Sequence, residues 1–399
     1  MEGMAGFGTA VAIPASILVG LGFEPIFAAM VCLVANTTPV AFGSIGVPEV
    51  TAAGIAGLNS HEIALYTIFQ TAFVSILVPF MVVYMAGRNS KVRGIKIFKG
   101  IGFITLIAGL SFAVTQYITA KFISSELPSM LGAVVCMAFI ILLTKIIKVE
   151  NSQFNIGTAK VQEKIGLKKI FTALSPFIFI LIFLIITSSL FPSINKSLAT
   201  VKTSVIIYTG KNAKPYTFFW ILTPGVQIII ATFIGGFIQK CHLREIICIL
   251  LKTIRQMSKT IITITTVIVA AKIMGYSGMI QIIANFVVNV TGNFYPLVAS
   301  FLGSIGTFVT GSATSSAVLF AKLQYNVASV LNINPTWLVA ANITGSTAGK
   351  IISPQSIAVA TAAVGVSGKE SEILSGVIKY YTVFIIVYGI TTYLFVGAI

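Results

Sequence analysis

A short polar stretch in a strongly apolar chain holds the residue with the clearest chemistry. The segment "AANITGSTAGKIISPQS" (residues 340–356) contains Lys350, the only charged residue between positions 336 and 364. An ionisable residue inside a membrane segment indicates a functional site, and an ammonium group can bind the carboxylate of a substrate. The alternative is a lysine that extends its ammonium group to the lipid headgroups. The neighbouring polar side chains are assigned to the same site: Asn342, Thr344, Ser353 and Gln355.

A second polar stretch, "ANTTPVAFGSIGVPE" (residues 35–49), supplies amide and hydroxyl groups near the other end of the chain. We expect Asn36, Thr37 and Thr38 to form the opposite wall of the site, where they would bond a hydroxyl or carboxylate group of the substrate. The alternative is that they only satisfy backbone groups freed by Pro39.

Two glycine-rich tips complete the set of candidate residues. In "TGSATSSA" (residues 310–317), the hydroxyl groups can bind an anion or cap the helix that follows. The assigned hydroxyl residues are Ser312, Thr314 and Ser315. Gln355 and Ser356 follow Pro354 near the start of another half-helix, where they either complete the site or cap that helix. In "EGMAGFGT" (residues 2–9), Glu2 is the predicted proton carrier, because intramembrane carboxylates serve in proton relays. The alternative is a terminal residue frayed into solvent.

The two polar stretches match each other at one constant spacing of 306 residues. Corresponding Gly/Pro-interrupted segments in two halves of a chain are typical of secondary transporters, whose substrate site lies where the broken helices meet. Such a site suits an anion, because half-helix N-termini carry positive partial charge. The pattern leaves open whether the repeats are inverted. The matched pairs are Asn36 and Asn342, Thr38 and Thr344, Gly43 and Gly349, Ile45 and Ile351, and Pro48 and Pro354.

Composition shows what must position these residues. The chain has 399 residues, of which 56% are hydrophobic and 9% charged, and its mean hydropathy is +0.99. Soluble domains carry about 25% charged residues, and continuous apolar runs predict helices rather than a barrel. We therefore predict an all-α polytopic membrane protein of about 10–11 spans, with two repeats, re-entrant polar tips and broken helices. Its predicted parts are an incomplete first repeat (1–149), a polar cytoplasmic loop (150–169) and a second repeat (170–399).

The net charge of +16 does not indicate a nucleic-acid partner, because the basic residues are dispersed among short loops. The densest of these loops are 87–99, 145–169 and 239–259, which the positive-inside bias places in the cytoplasm. We expect three charges near span ends to lie at the membrane interface: Glu49, Lys272 and Lys322. The four cysteines have no metal-binding spacing, so we predict neither a metal nor a cofactor.

Motifs narrow the function class further. The chain has no HExxH, GxSxG or paired intramembrane carboxylates, which argues against an enzyme. Paired broken helices favour alternating access over a passive pore. A single lysine favours a monocarboxylate over a dicarboxylate, and a sodium-coupled organic-anion carrier remains the alternative.

Four motifs carry a resemblance to a known family: "EGMAGFGTAVAI", "LVGLGFEPIFAAMVCLVANTTPVAFGSIGVP", "TGSATSSAVLFAKLQ" and "GKIISPQSIAVA". Through them, essentially the whole chain resembles the L-lactate permease family of bacteria. The resemblance implies proton-coupled symport of L-lactate and related 2-hydroxy monocarboxylates such as glycolate. It also implies a multi-pass protein of the bacterial cytoplasmic membrane, with the lipid bilayer as its surroundings.

The chain departs from the family pattern in two motifs and at its start. Ala313 stands where the family resembles "TGSDTSS", and Ala10 replaces a proline. The resemblance also implies helices before the first motif, which here begins at Glu2. A second interpretation therefore stays open, namely a truncated permease fragment without transport activity.

Overall fold

The computed structural model describes residues 2–5, 8–88, 97–147, 166–188, 190–206 and 216–397. Most of the predicted polar loop at 150–169 and the centre of the basic loop at 87–99 lie outside these ranges. By contacts the chain divides into two units, of which the first is 1–121, 125–159 and 264–399, and the second is 122–124 and 160–263.

The described part is almost entirely helical, so the all-α prediction is confirmed. The helices before the polar loop are α1 (Glu2–Ala5), α2 (Thr9–Gly20), α3 (Pro25–Ala35), α4 (Gly43–Ala56), α5 (Ser60–Arg88), α6 (Gly102–Phe122) and α7 (Pro128–Ile146). Those after it are α8 (Leu167–Ile186), α9 (Pro192–Leu198), α10 (Pro224–Ile238), α11 (Leu243–Tyr276), α12 (Met279–Thr291), α13 (Tyr295–Thr310), α14 (Ala313–Leu331), α15 (Pro335–Ile352), α16 (Pro354–Ala363) and α17 (Glu370–Leu394).

Five helices in the described residues are long and apolar enough to cross a membrane, or six if the pair α3 and α4 is counted as one bent span. That pair is bent by 73° at its break. The sequence-based number of 10–11 spans is larger because it includes shorter apolar helices, such as those at Phe171–Ile186 and Gly225–Ile238.

The second unit contains α8, α9, α10 and the first part of α11, together with a feature that the sequence did not predict. Strands β1 (Lys202–Val205) and β2 (Tyr216–Phe219) form an antiparallel pair in the predicted loop 191–217. Helices α8 and α10 pack closely. If Gly235 of α10 carried a Cβ atom, that atom would lie only 2.5 Å from the side chain of Pro176 in α8.

In the first unit, helix α15 is buried along its whole length and packs tightly on α13. A Cβ atom at Gly345 would overlap the Ser300 carbonyl, and one at Gly349 would overlap the Ser304 carbonyl. Small residues four apart let two membrane helices approach until their backbones touch. This packing fixes the direction in which the C-terminal end of α15 presents Lys350.

Two helix breaks lie in the first unit, and they differ in length. Between α3 and α4 the chain runs through a short 3₁₀ turn (Val40–Phe42), and then Ser44, Ile45 and Gly46 adopt positive φ angles of 48°, 63° and 67°. Positive φ in a β-branched residue costs of order 1–3 kcal/mol, and such strain clusters at functional sites.

The second break is a single residue, Ser353, with φ −61° and ψ 127°. Pro354 explains it, since a proline disfavours helical backbone at the preceding residue. Asn342, the partner of Asn36 in the sequence repeat, therefore lies in the middle of α15, whereas Asn36 is the residue that ends α3.

Candidate functional site

A buried ion pair joins α1 to the C-terminal end of α15. The Nζ atom of Lys350 lies 2.7 Å from Oε1 of Glu2, and the two side chains are 10% and 2% exposed. The second carboxylate oxygen of Glu2 accepts a hydrogen bond of 2.9 Å from Nδ2 of Asn36. The structure thus brings together three residues that the sequence assigned to the site from separate motifs.

Each of the three is held by the end of a helix. Lys350 lies in the last turn of α15, where the helix dipole favours a cation. Asn36 is the C-cap residue of α3, and Glu2 begins α1. Gly43 leaves room for the carboxylate, because a Cβ atom there would lie 2.8 Å from Oε1 of Glu2. The ion pair therefore depends on both breaks and on the first glycine-rich tip.

Two small spaces adjoin the ion pair and share Val40 and Lys350 in their walls. The first combines apolar and polar side chains and is lined by Val11, Leu33, Asn36, Thr37, Val40, Thr347, Lys350 and Ser356. The second is lined by Glu2, Val40, Gly43, Ser44, Pro48, Gly311, Ser312, Ala313, Thr314 and Lys350. Its volume is about 30 Å³, which admits water but not a larger organic anion. In this conformation neither space has room for an organic anion beside the ion pair.

The second glycine-rich tip reaches the same space. The Ser312 hydroxyl caps α14 by accepting a hydrogen bond of 3.2 Å from the amide of Ser315, and Ser312 and Thr314 both line the cavity. Ala313, which replaces the acidic residue of the family pattern, lines it beside them. Ala313 and Lys350 thus line the same space.

Several predicted site residues make contacts between helices instead of lining these spaces. Asn342 donates a hydrogen bond of 3.3 Å to the Ser316 carbonyl, and Thr344 donates one of 3.0 Å to Oε1 of Gln70. Both are fully buried. Their role in the described structure is to fix α15 against α14 and α5.

The remaining predicted residues lie at the margins. Thr38 is buried within the first break, and Gln355 is exposed, with its amide oxygen against Gly311. Ser353 is fully buried, and its hydroxyl group has no hydrogen-bond partner among the described residues. A buried hydroxyl left unpaired at a helix break has bonding capacity available for a ligand.

Two polar residues of the walls were missed by the sequence interpretation: Ser44 and Thr347. Thr347 could have been found, because it precedes Lys350 by three positions and so shares its helix face. Its hydroxyl group donates to the Tyr388 hydroxyl at 3.2 Å. Ser44 carried no comparable signal, whereas Ser356 lines the wall as its position after Pro354 suggested.

The three charges expected at the membrane interface lie in different environments. The expectation is wrong for Glu49, which is fully buried inside the protein, with a relative exposure of 0%. Lys322 is half-buried, with its Nζ atom 4.2 Å from the centre of the Tyr325 ring. The side chain of Lys272 lies outside the described part.

The arrangement pairs a single cation with a single carboxylate, Lys350 with Glu2. Amide and hydroxyl donors surround the pair, and valine and leucine side chains cover one side. Among the described residues, no three His, Cys, Asp or Glu side chains are grouped to hold a metal ion.

Comparisons with known proteins agree on one family. A family model described as L-lactate permease matches residues 1–399. The L-lactate permease of Streptococcus iniae is 44% identical over 340 residues, which cover 85% of this chain and 70% of the relative. Glycolate permease GlcA of Escherichia coli (strain K12) is 36% identical over 435 residues, covering 100% of this chain and 76% of the relative.

More distant comparisons include one solved structure. The L-lactate permease of Bacillus subtilis (strain 168) is 32% identical over 435 residues, covering 99% of this chain and 76% of the relative. The crystal structure of the Alcanivorax borkumensis YdaH transporter covers 96% of this chain and 87% of its own, with 14% identity and a TM-score of 0.38. With the family match over its whole length and its apolar helices, this chain belongs to the L-lactate permease family and is a multi-pass protein of the bacterial plasma membrane.

Proposed function

We propose that this protein is a secondary active transporter that carries L-lactate and related 2-hydroxy monocarboxylates, such as glycolate, together with protons. The relatives named L-lactate permease and glycolate permease support this substrate class. The observation that carries the proposal is the buried pair of Lys350 and Glu2, with its single cation beside a small cavity.

The composition of the walls favours a short hydroxy acid. Lys350 would bind the carboxylate of the substrate, while Thr37, Thr347 and Ser356 offer hydroxyl groups for its 2-hydroxyl. Val11 and Leu33 supply apolar contact for a methyl group. One cation pairs with one carboxylate, and the described residues of the two walls include no second cation for a dicarboxylate.

The ion pair also supplies a reason for proton coupling. When the substrate carboxylate binds Lys350, the Glu2 carboxylate loses its cation. A buried charge left unpaired costs several kcal/mol, so Glu2 takes up a proton as it leaves. Before binding the site holds Lys350 and ionised Glu2, and after binding it holds Lys350, the substrate anion and neutral Glu2. The charge of the site is zero in both states, and one proton accompanies one monocarboxylate.

The broken helices suit this cycle. Glu2 lies in the first tip and Lys350 before the second break, and Asn36 at the first break bonds Glu2. Separation of Glu2 from Lys350 would therefore move these elements relative to one another. Such motion around a central site is the alternating access used by repeat-built transporters. We assign residues 1–149 and 170–399 to the two repeats on this basis.

Transport in liposomes tests the proposal. The purified protein is reconstituted, and labelled L-lactate uptake is measured under an inside-alkaline pH gradient or under a sodium gradient at equal pH. We expect the pH gradient to drive accumulation, unlabelled glycolate to compete, and succinate not to compete. Accumulation driven by sodium and insensitive to the pH gradient would instead establish the alternative, a sodium-coupled organic-anion carrier.

A further inference from the structure

Lys379 lies on α17 at the edge of a membrane span. The positions that follow it, 380–399, contain no charged residue, and about 20 apolar residues are needed to cross the hydrocarbon core of a bilayer. On α5 the uncharged run 63–87 ends in the same region, because Tyr84 of α5 and Lys379 of α17 line one cavity. The two helices therefore reach the same membrane surface near Lys379.

Two cavities meet at Lys379 and Tyr380, which line both of them. The first, the polar cavity, has a volume of about 370 Å³ and lies between α3, α5 and α17, and its wall includes Glu372 and Ser375. The second, the apolar groove, has a volume of about 430 Å³ and lies between α5, α17 and Phe98. Besides Lys379 and two tyrosines, the wall of the apolar groove consists of Phe80, Met81, Phe98 and Val383.

The side chains of α17 follow one another in a definite order along the helix. Val383, in the wall of the apolar groove, lies one turn beyond Lys379 on the hydrocarbon side. Glu372 precedes Lys379 by seven residues, which is about two turns and about 10 Å of helix, and Ser375 lies between them. From the membrane outwards, the wall therefore offers hydrocarbon, an ammonium group, a hydroxyl group and a carboxylate.

This order is complementary to a phospholipid whose headgroup contains an amine. In such a lipid the acyl chains lie deepest in the bilayer, the phosphate follows, and the ammonium group is outermost. The phosphate would accept a hydrogen bond from Lys379, the ammonium group would donate to Glu372, and an acyl chain would lie in the apolar groove. A headgroup with negative charge alone would leave the Glu372 carboxylate facing a like charge.

Span-edge anchoring alone explains only part of this arrangement. Lysines and aromatic residues at span edges commonly reach the lipid headgroups without forming a site. Here the lysine separates a polar cavity from an apolar groove, and a carboxylate lies two turns away on the same helix. Glu372 pairs with Lys369 at 3.8 Å, and both side chains are more than half exposed. Such surface pairs contribute little stability, so the carboxylate can exchange Lys369 for a ligand ammonium group.

We propose that the polar cavity and the apolar groove together bind a glycerophospholipid whose headgroup carries both a phosphate and a primary amine, such as phosphatidylethanolamine. This inference does not depend on the proposed transport function. A Cβ atom at Gly376 of α17 would overlap the Sδ atom of Met30 of α3, so these two helices touch beside the polar cavity. Because α3 ends at Asn36 and α17 packs on α15, the lipid would brace the helices that hold Asn36 and Lys350.

Native mass spectrometry of the purified protein tests the proposal. The protein in detergent is offered equal amounts of phosphatidylethanolamine, phosphatidylglycerol and phosphatidylcholine with the same acyl chains. We expect phosphatidylethanolamine to be retained at least about fivefold better than the other two, because only its headgroup offers an N–H donor to Glu372. Equal retention of the three lipids, or preferred retention of phosphatidylglycerol, would overturn the proposal.

Three variants examine the two ends of the headgroup. Lys379→Gln should lower the retention of phosphatidylethanolamine by about fivefold, and Glu372→Gln should abolish its preference over phosphatidylglycerol. Lys121→Gln is the matched control, because Lys121 is exposed 5.6 Å from the centre of the Tyr117 ring but lines neither cavity. An equal loss in Lys121→Gln, or no loss in Lys379→Gln, would contradict the assigned site.

If Lys379→Gln fails to reach the membrane, photo-crosslinking of the wild type answers the question. Phosphatidylethanolamine with a photoreactive acyl chain is reconstituted with the protein, and mass spectrometry locates the adducts. We expect adducts concentrated at positions 80–84 of α5 and around Val383 of α17, reduced by an excess of unlabelled phosphatidylethanolamine but not of phosphatidylglycerol. Adducts spread evenly over the exposed helices would show that the lipid has no preferred site.

Discussion

Replacing Lys350 with methionine is expected to lower L-lactate uptake by at least about 30-fold, because truncating one partner of a buried charge pair costs roughly 2–5 kcal/mol. Methionine keeps much of the length of the side chain but provides no cation for the substrate carboxylate. Uptake of labelled lactate, normalised to the protein found in the membrane, measures the effect. Uptake at the wild-type rate would remove Lys350 from the site.

Two further variants separate the loss of binding from the loss of folding. In Lys350→Met the Glu2 carboxylate is left buried and unpaired, which by itself destabilises the protein. The double variant Lys350→Met with Glu2→Gln removes both charges, so it should restore normal levels in the membrane without restoring transport. Lys322→Met is the matched control and should transport normally, because Lys322 lies over the Tyr325 ring outside the two cavity walls.

Glu2→Gln has the second large expected effect, and it is of a different kind. The variant should exchange internal for external lactate at a rate within a few-fold of the wild type, because Lys350 and the walls are intact. Net accumulation under a pH gradient should fall by at least about tenfold. The reason is that the empty site would hold the charge of Lys350 without a partner. Burying an unpaired charge costs several kcal/mol, which would slow the return of the unloaded transporter.

The comparison of exchange with net uptake is what identifies this role. A Glu2 side chain with a purely structural function would lose both activities together in Glu2→Gln. Normal pH-driven accumulation in the variant would show that Glu2 carries no proton. Glu24→Gln should keep both activities, since the Glu24 carboxylate caps α3 at an exposed position.

Much of this site could be predicted from residue type and spacing. Lys350 attracted attention because a single charge in a long apolar segment needs a reason to be there. Asn36 and Glu2 were found because polar, glycine-rich stretches recur in both halves of the chain. All three meet in the structure at hydrogen-bonding distances of 2.7 and 2.9 Å.

The pairing itself was beyond the sequence. Glu2 and Lys350 are 348 residues apart. No local sequence pattern predicts that the first glycine-rich tip folds onto the end of α15. Asn342 and Thr344 were expected in the site because they match Asn36 and Thr38. Their side chains bond Ser316 and Gln70 on adjacent helices instead, and that choice depends on which helices α15 packs against.

Glu49 shows the opposite limit. Glu49 follows a proline near the end of a polar stretch, and this position in the sequence is typical of a residue at the edge of a membrane span. Its burial results from the position of α4 between α14, α1 and α5, and periodicity in one helix does not reveal how many neighbours surround it. A buried carboxyl group without partners is visible only in the folded structure.

The exchange of Glu2 for the substrate at Lys350 can be measured directly as proton uptake on binding. L-lactate is added to the purified protein in weakly buffered solution near neutral pH, and a pH indicator reports the protons removed from solution. The account predicts about one proton taken up for each lactate bound by the wild type, and none by Glu2→Gln. Saturable lactate binding by the wild type with no proton uptake would contradict it.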